Sequence, residues 1–207
     1  MTVPGRKGAA LVVCAPSGTG KTTLVRRLAG EFPNFAYSVS YTTRKPRQGE
    51  VNGRDYHFVD RAEFDGLVER NFFAEWAEVH GQRYGTPLQP VLDSLEAGKD
   101  VLFDIDVQGA AQLRDKIPAV HVFILPPSRE ELRRRLVGRG LDSAEVVETR
   151  MANAAGEIAR AGDFDAWIVN DDLDLAYDML RSLFLAATLA PDRRPGLLEE
   201  LMAQWEE

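Results

Sequence analysis

Residues 15–23 read Ala-Pro-Ser-Gly-Thr-Gly-Lys-Thr-Thr, directly after the apolar run Ala10-Leu-Val-Val-Cys14 and directly before Leu24, Val25 and Leu28 at helical spacing. The order is strand, glycine-bearing loop, helix, which is the organisation of a phosphate loop. Gly18 and Gly20 let consecutive backbone N–H groups curl around a polyphosphate, Lys21 brings a charge to its β and γ phosphates, and Thr22 offers a hydroxyl to Mg²⁺. The strict pattern has Gly in its first position, where this chain has Ala15, and that change costs the loop freedom only if φ is positive there. The plain alternative, a Gly-rich turn joining a strand to a helix, does not account for the Lys21-Thr22 pair. Gly30 is expected to close the helix.

Further apolar runs at Val101–Ile105, Val120–Leu125 and Trp167–Val169 resemble buried strands separated by helix-like stretches. The fold class expected is therefore α/β with a parallel sheet. Helix starts are read at Thr86-Pro87 as N-cap and N1, at Ser128 with Glu131 as a capping box, and at Asp142 with Glu145 as its acidic equivalent; Gly98 and Gly140 are expected stops. Between about 35 and 87 the character changes. Tyr37-Ser-Val-Ser-Tyr41 and Tyr56-His-Phe-Val59 alternate like half-exposed antiparallel strands, as an inserted subdomain would. Leu173 to Leu189 is helical by spacing, and Pro191 to Gly196 breaks it before a short last helix.

Composition excludes more than it suggests. With 207 residues the chain can bury a substantial core without a disulfide or metal staple, and a net charge of −7 argues against broad electrostatic binding to nucleic acid or anionic membranes. Single Cys14 cannot form an internal disulfide and reads as a small buried hydrophobe in a reducing compartment. No apolar run approaches the ~20 residues that span a bilayer, and no apolar signal region opens the sequence, so a cytoplasmic location is expected.

Three constellations carry chemistry. Thr42-Thr-Arg-Lys-Pro-Arg47 holds two guanidinium groups in a segment that Pro46 keeps out of helix, and Tyr56 lies near enough in sequence to add a hydroxyl to the same phosphate. The bland reading is a solvated basic turn balanced by Glu50 and Asp55. In Val101-Leu-Phe-Asp-Ile-Asp106 the two carboxylates are two apart, so they face one side of a strand near its carboxyl end; one of them is expected to serve Mg²⁺ through water, while Asp106 also suits plain capping. Arg133, Arg134, Arg135 and Arg139 crowd one helix, but at most two or three can reach one ligand together. Spacing alone does not choose Glu75 over Glu78, and His57, His80 and His121 form no metal-ligand pattern.

Taken together, these motifs resemble the guanylate kinases, P-loop nucleoside monophosphate kinases that move a phosphoryl group from ATP to GMP. The resemblance rests on Ala15-Pro-Ser-Gly-Thr-Gly-Lys-Thr22, on Ser38-Val-Ser-Tyr-Thr-Thr-Arg-Lys-Pro-Arg47 followed by Gly49-Glu50, Asn52-Gly53 and Asp55-Tyr56, on Tyr84-Gly-Thr86, on Asp104-Ile-Asp-Val-Gln-Gly109 and on Val169-Asn-Asp171, covering residues 10 to about 185. It implies a single three-layer domain over 1–207: a core of 8–34, 88–125 and 158–190, a mixed α/β GMP-binding subdomain over 35–87, a helical lid over 126–157 and a helical tail over 191–207.

By matching motif, the resemblance implies that Ala15, Pro16, Ser17, Gly18, Thr19, Gly20, Lys21, Thr22 and Thr23 bind ATP, with Arg139 and Asn170. Arg44, Arg47, Tyr56 and Tyr84 would hold the GMP phosphate, and Ser40, Glu75 and Thr86 would read guanine. Asp104 and Asp106 would lie near substrate and Mg²⁺, with Thr22 a direct metal ligand and Asp104 one through water. Lys21, Arg44, Arg47, Arg139 and Arg150 would carry the catalytic charge, with Arg139 and Arg150 approaching from the lid. The partners implied are ATP and GMP, with dGMP as a further acceptor, in a monomer or small homo-oligomer that recycles guanine nucleotides. Two rivals remain open at this point: a non-catalytic protein-interaction module of the same fold, and a related phosphotransferase acting on a ribose bisphosphate. The tail has no function legible in the sequence.

Overall fold

The computed structural model describes residues 5–36, 38–79, 81–138 and 143–205. In chain order the elements are β1 (Ala10–Cys14), α1 (Lys21–Glu31), β2 (Phe35–Ala36), β3 (Tyr41–Thr42), β4 (His57–Phe58), α2 (Arg61–Glu69), β5 (Phe73–Val79), β6 (Gln82–Pro87) and α3 (Leu88–Glu96). There follow β7 (Asp100–Asp104), α4 (Val107–Leu113), β8 (Ala119–Leu125), α5 (Arg129–Gly138), α6 (Ala144–Ile158), β9 (Ala166–Val169), α7 (Leu173–Thr188) and α8 (Leu197–Ala203).

Five parallel strands in the order β2-β7-β1-β8-β9 form the central sheet. Alternation along β1 sends Ala10, Val12 and Cys14 to one face, against Val91 and Leu95 of α3 and Val107, Ala110 and Leu113 of α4. Leu11 and Val13 go to the other face, against Leu24 and Leu28 of α1 and Ala176, Tyr177, Leu180 and Phe184 of α7. Covered on both sides, the strand reads as an unbroken apolar run, as a central parallel strand must. The expected parallel α/β layering is therefore present.

A second sheet, β4-β3-β6-β5, stands beside the first and has its own small core of Phe64, Leu67 and Phe73. Helices α5 and α6 share a third cluster, Leu132, Leu136, Val147, Met151 and Ala154. After α7, Arg193 ties the chain back to the base of the central sheet, donating to Gly8 O at 3.0 Å and Pro118 O at 3.1 Å. α8 beyond it has no buried residue. Among the described residues, no helix is long and apolar enough to cross a membrane.

Several local expectations need correction. Gly30 lies inside α1, whose C-cap is Phe32. Of the alternating segment 37–41, residue 37 lies outside the described residues and the rest is not one strand: β2 before it pairs with β7 in the central sheet, 38–40 is irregular, and β3 is two residues long. β3 and β4 pair in parallel, because the loop between them crosses over rather than forming a hairpin. Thr86 and Pro87 end β6, and Pro87 precedes α3 without a side-chain cap. Ser128 does accept from Glu131 N–H at 3.0 Å, but the Glu131 carboxylate turns to Arg134 and Arg135 instead of closing the box. Asp142 and Gly140 lie outside the described residues, and α6 is capped by Ser143, which accepts from Val146 N–H. Gly98 follows α3 with φ 76, as a stop requires.

Candidate active site

The phosphate loop closes the carboxyl end of β1. Gly18 and Gly20 have φ of 93 and 94, the left-handed values for which an L side chain is strained, whereas Ala15 is not among the positive-φ residues. Space is also tight at both glycines. A Cβ on Gly18 would stand 2.9 Å from Leu136 Cδ2, and one on Gly20 would stand 2.5 Å from Asn170 Nδ2. Buried Thr19 fixes the curl internally, its hydroxyl donating to Pro16 O at 2.8 Å. Ser17, Thr22 and Thr23 are exposed around it.

Lys21 opens α1 with its ammonium 2.6 Å from Asp104 Oδ1 and donating to Ile105 O at 3.0 Å. Asp104 ends β7, but Asp106 is off the strand: it caps α4, accepting from Gln108 and Gly109 N–H at 3.0 and 2.8 Å. The shared strand face expected for the two carboxylates is therefore absent, because the strand stops at the first of them and the second is used by the helix start. Burial pushes the Cys14 thiol up to about 12, which leaves it an inert neighbour of this loop.

Between the two sheets lies a cavity of ≈ 420 Å³. Its floor is β7 from Val101 to Asp104 with Lys21, Ile105 and Asp106, and its far wall is Glu75, Ala77 and Val79 of β5 facing Tyr84 and Thr86 of β6. Glu75 and Thr86 are paired across the antiparallel ladder, and the Thr86 hydroxyl donates to Glu75 Oε1 at 2.5 Å. Burial raises the Glu75 pKa above the usual carboxylate value, against the stabilising hydrogen bond from Thr86. Glu78, three residues on, is exposed and pairs with Arg61 and Arg83, so the structure makes the choice that spacing did not. Ser40 lines the same cavity, as does Ser38, whose buried Oγ has no hydrogen-bond partner.

At the cavity edge Arg44 forms a two-bond fork with Glu50, both at 2.9 Å, and Glu50 Oε2 also accepts from Arg47 N–H at 2.7 Å. The guanidinium lies 5.4 Å from the centroid of the Tyr56 ring, and Tyr56 meets Tyr84 edge-on at 6.1 Å. Arg44, Tyr56 and Tyr84 are thus brought together, while Arg47 is exposed on the same loop. Arg44, first of all, and the Arg47 N–H hold the Glu50 carboxyl down at about 2.

Asn170 is buried at the end of β9 and donates to Thr19 O at 2.6 Å, so its side chain braces the phosphate loop from behind. Its own carbonyl accepts from Arg135 of α5 at 2.9 Å, linking that helix to the loop. Arg150 is half-buried on α6, outside the cavity lining, and Arg139 falls outside the described residues.

Comparison with known proteins matches this arrangement along nearly the whole chain. The guanylate kinase family model matches residues 7–187. The chain belongs to the guanylate kinase family. The guanylate kinase of Nitratidesulfovibrio vulgaris is 60% identical over 201 residues, 97% of each chain, and that of Lawsonia intracellularis is 52% identical over 199 residues, 96% of this chain and 94% of the other. The crystal structure of guanylate kinase from Anaplasma phagocytophilum superposes with a TM-score of 0.72 at 35% identity, covering 97% of this chain and 96% of that one.

The parts played by two contributors in this guanylate kinase fold escape motif reading. Glu50 was legible as a counter-charge and as half of the Gly49-Glu50 motif, and the structure adds that it orients Arg44 and fixes the Arg47 backbone. Arg135 was one of a run of arginines, and only its contact with Asn170 O distinguishes it. The donors near Lys21 suit Mg²⁺. Thr22 and Asp104 offer hard oxygens, both exposed, and no group of three or more acidic, His or Cys side chains among the described residues forms a cage. Such a set fits an ion held largely by substrate phosphates and water.

Proposed function

We propose that this guanylate kinase family member transfers the γ-phosphoryl group of ATP to GMP, giving ADP and GDP. The observation that carries the reading is the buried Glu75–Thr86 pair in a cavity whose floor holds Lys21 and Asp104. A carboxylate accepts from guanine N1–H and the 2-amino group, whereas adenine has neither donor, so AMP would leave Glu75 buried with the Thr86 hydroxyl but without the two base donors. Family membership over nearly the full chain supports the same acceptor.

In this reading the second sheet, within 35–87, binds the acceptor. Arg44, with Tyr56, Tyr84 and Arg47, takes the GMP phosphate; Glu50 presets Arg44 for a fork of hydrogen bonds. Ser40, Glu75 and Thr86 read the base. The loop 15–23 holds the donor triphosphate, braced by Asn170, and Lys21 exchanges Asp104 for phosphate oxygens. Mg²⁺, held by Thr22 and through water by Asp104, supplies charge neutralisation when bound. Helices α5 and α6, which make up the lid segment 126–157 with α6 running one residue past it, act as a lid that brings Arg150 and Arg139 to the transferring group and excludes water.

A GMP phosphate oxygen then attacks in line, and catalysis is positioning plus charge, with no enzyme nucleophile. The interaction-module alternative leaves the intact Gly18-Thr-Gly-Lys-Thr22 loop unexplained, and a ribose bisphosphate acceptor offers Glu75 no base donors beyond the Thr86 hydroxyl it already holds. The test is ADP and GDP formation with ATP and Mg²⁺, offering GMP, dGMP, AMP, UMP and ribose 1,5-bisphosphate, with Lys21→Ala as control. Turnover confined to guanine nucleotides and lost in the control is expected; turnover with the sugar phosphate, or none in folded protein, would replace the reading.

A further inference from the structure

Strand β5 is an edge of the second sheet, so one side of its backbone has no neighbouring strand. Helix α4 of the central layer fills that place with side chains. The Gln112 amide makes both bonds that a strand neighbour would make to Trp76, accepting from its N–H at 3.0 Å and donating to its carbonyl at 2.7 Å. Lys116, just past the helix end, donates to the carbonyls of Phe73 and Ala74 at 2.9 and 3.0 Å. The residues on either side of Glu75 are thereby held from α4, across the point where a bulge interrupts the β5–β6 register between Phe73 and Glu75.

The same helix also makes room for the carboxylate. A Cβ on Gly109 would stand 3.0 Å from Glu75 Oε2, so the Glu75 head lies against a bare stretch of α4 backbone. α4 is capped by Asp106, two residues after the Asp104 that meets Lys21. One short helix therefore references the strand carrying Glu75 to the floor of the phosphate site. The bulge locally disrupts the ladder beside Glu75, and a small displacement there that leaves fold and volume unchanged still misplaces the group the strand carries.

The geometry points to Gln112 as a positioning residue for acceptor specificity: by fixing the Trp76 backbone it sets the reach of Glu75 to the guanine N1–H and 2-amino group. This rests on the reading of Glu75 as the guanine contact. Gln112 touches no substrate; it acts through the strand.

The experiment measures KM and kcat for GMP, IMP and ATP in the full chain. IMP keeps N1–H and lacks the 2-amino group, so the GMP-to-IMP preference reports the placement of Glu75. Gln112→Met keeps length and removes both hydrogen bonds. It is expected to raise the KM for GMP roughly ten-fold, to shrink the GMP-to-IMP preference, and to leave kcat and the KM for ATP unchanged. In a Glu75→Gln background the same change adds nothing to the GMP-to-IMP ratio. Gln112→Glu sets an oxygen against the Trp76 carbonyl, gives the same sign, and decides the matter if Gln112→Met does not fold. A wild-type GMP-to-IMP ratio in the Gln112 variants, or equal shifts in KM for GMP and ATP, overturns the proposal while Glu75→Gln still reports on the base contact. A wild-type ratio in Glu75→Gln itself overturns the reading of Glu75, and the proposal with it.

Discussion

Thr86 Oγ1 lies 2.5 Å from Glu75 Oε1 on the neighbouring strand, so a buried carboxylate enters the cavity already holding one donor and needing more. Burial raises its pKa, and the ionised form is the one that accepts from guanine. The KM for GMP should therefore climb as pH falls through a value above the ordinary ~4.3 of a glutamate, and this limb should vanish in Glu75→Gln. The folded state also binds this proton more tightly than the unfolded state, so the group lowers stability once pH rises through the folded pKa. Glu75→Gln is expected to melt higher than the parent at pH 7 while losing GMP affinity, as calorimetry and kinetics on one preparation would reveal.

The Arg44–Glu50 fork has the opposite sign. Glu50 has its pKa held down at about 2 in the folded chain, below the ordinary ~4.3 of a glutamate, so its stabilising effect is complete above that ordinary value and is lost as pH falls toward about 2. Melting curves of the parent and Glu50→Gln should differ at neutral pH and converge on acidification. The variant should also bind GMP more weakly with ATP affinity retained, since the guanidinium loses the partner that orients it.

Lys21 shows where catalysis should fail without binding failing. Its ammonium sits between Asp104 and the Ile105 carbonyl, ready to exchange either for phosphate oxygens. Lys21→Met should cut kcat by roughly 10²–10³ or more, with a much smaller change in the KM for GMP. Equal losses in both would contradict the separation of donor and acceptor sites.

Asn170 supports the donor loop from behind. Asn170→Ala removes the bond to Thr19 O and should raise the KM for ATP more than that for GMP. Gly20→Ala is expected to be more severe. It places a side chain at φ 94 and 2.5 Å from Asn170 Nδ2, so both the loop and its brace must move; ATP protection in a thermal-shift titration would measure the loss.

The central sheet and the phosphate loop were legible because their signals are local: buried parallel strands are written as apolar runs, and the loop needs Gly18 and Gly20 for its backbone sign. The second sheet was harder to read, since β3 and β4 are two residues each and take their partners from across the fold. Its alternating segments suggested antiparallel strands where the chain instead splits between two sheets. Glu75 could not be separated from Glu78 by spacing, because alternation puts the two on opposite faces of β5 and only the packing of the second sheet against the first decides which face meets the cavity. Asp106 looked like a strand partner of Asp104 because two-residue spacing is strand-like, but a helix start competed for it and won. Gln112, an ordinary helix residue in sequence, acquires its meaning only from the strand it meets.

The most direct test of the account is the ratio of kcat/KM for GMP to that for AMP, with ATP and Mg²⁺ saturating. A buried Glu75 left without the two guanine donors predicts a preference for GMP of ~10⁴ or more, collapsing in Glu75→Gln. A ratio within about ten-fold, or one untouched by that substitution, would contradict the assignment of this cavity to guanine.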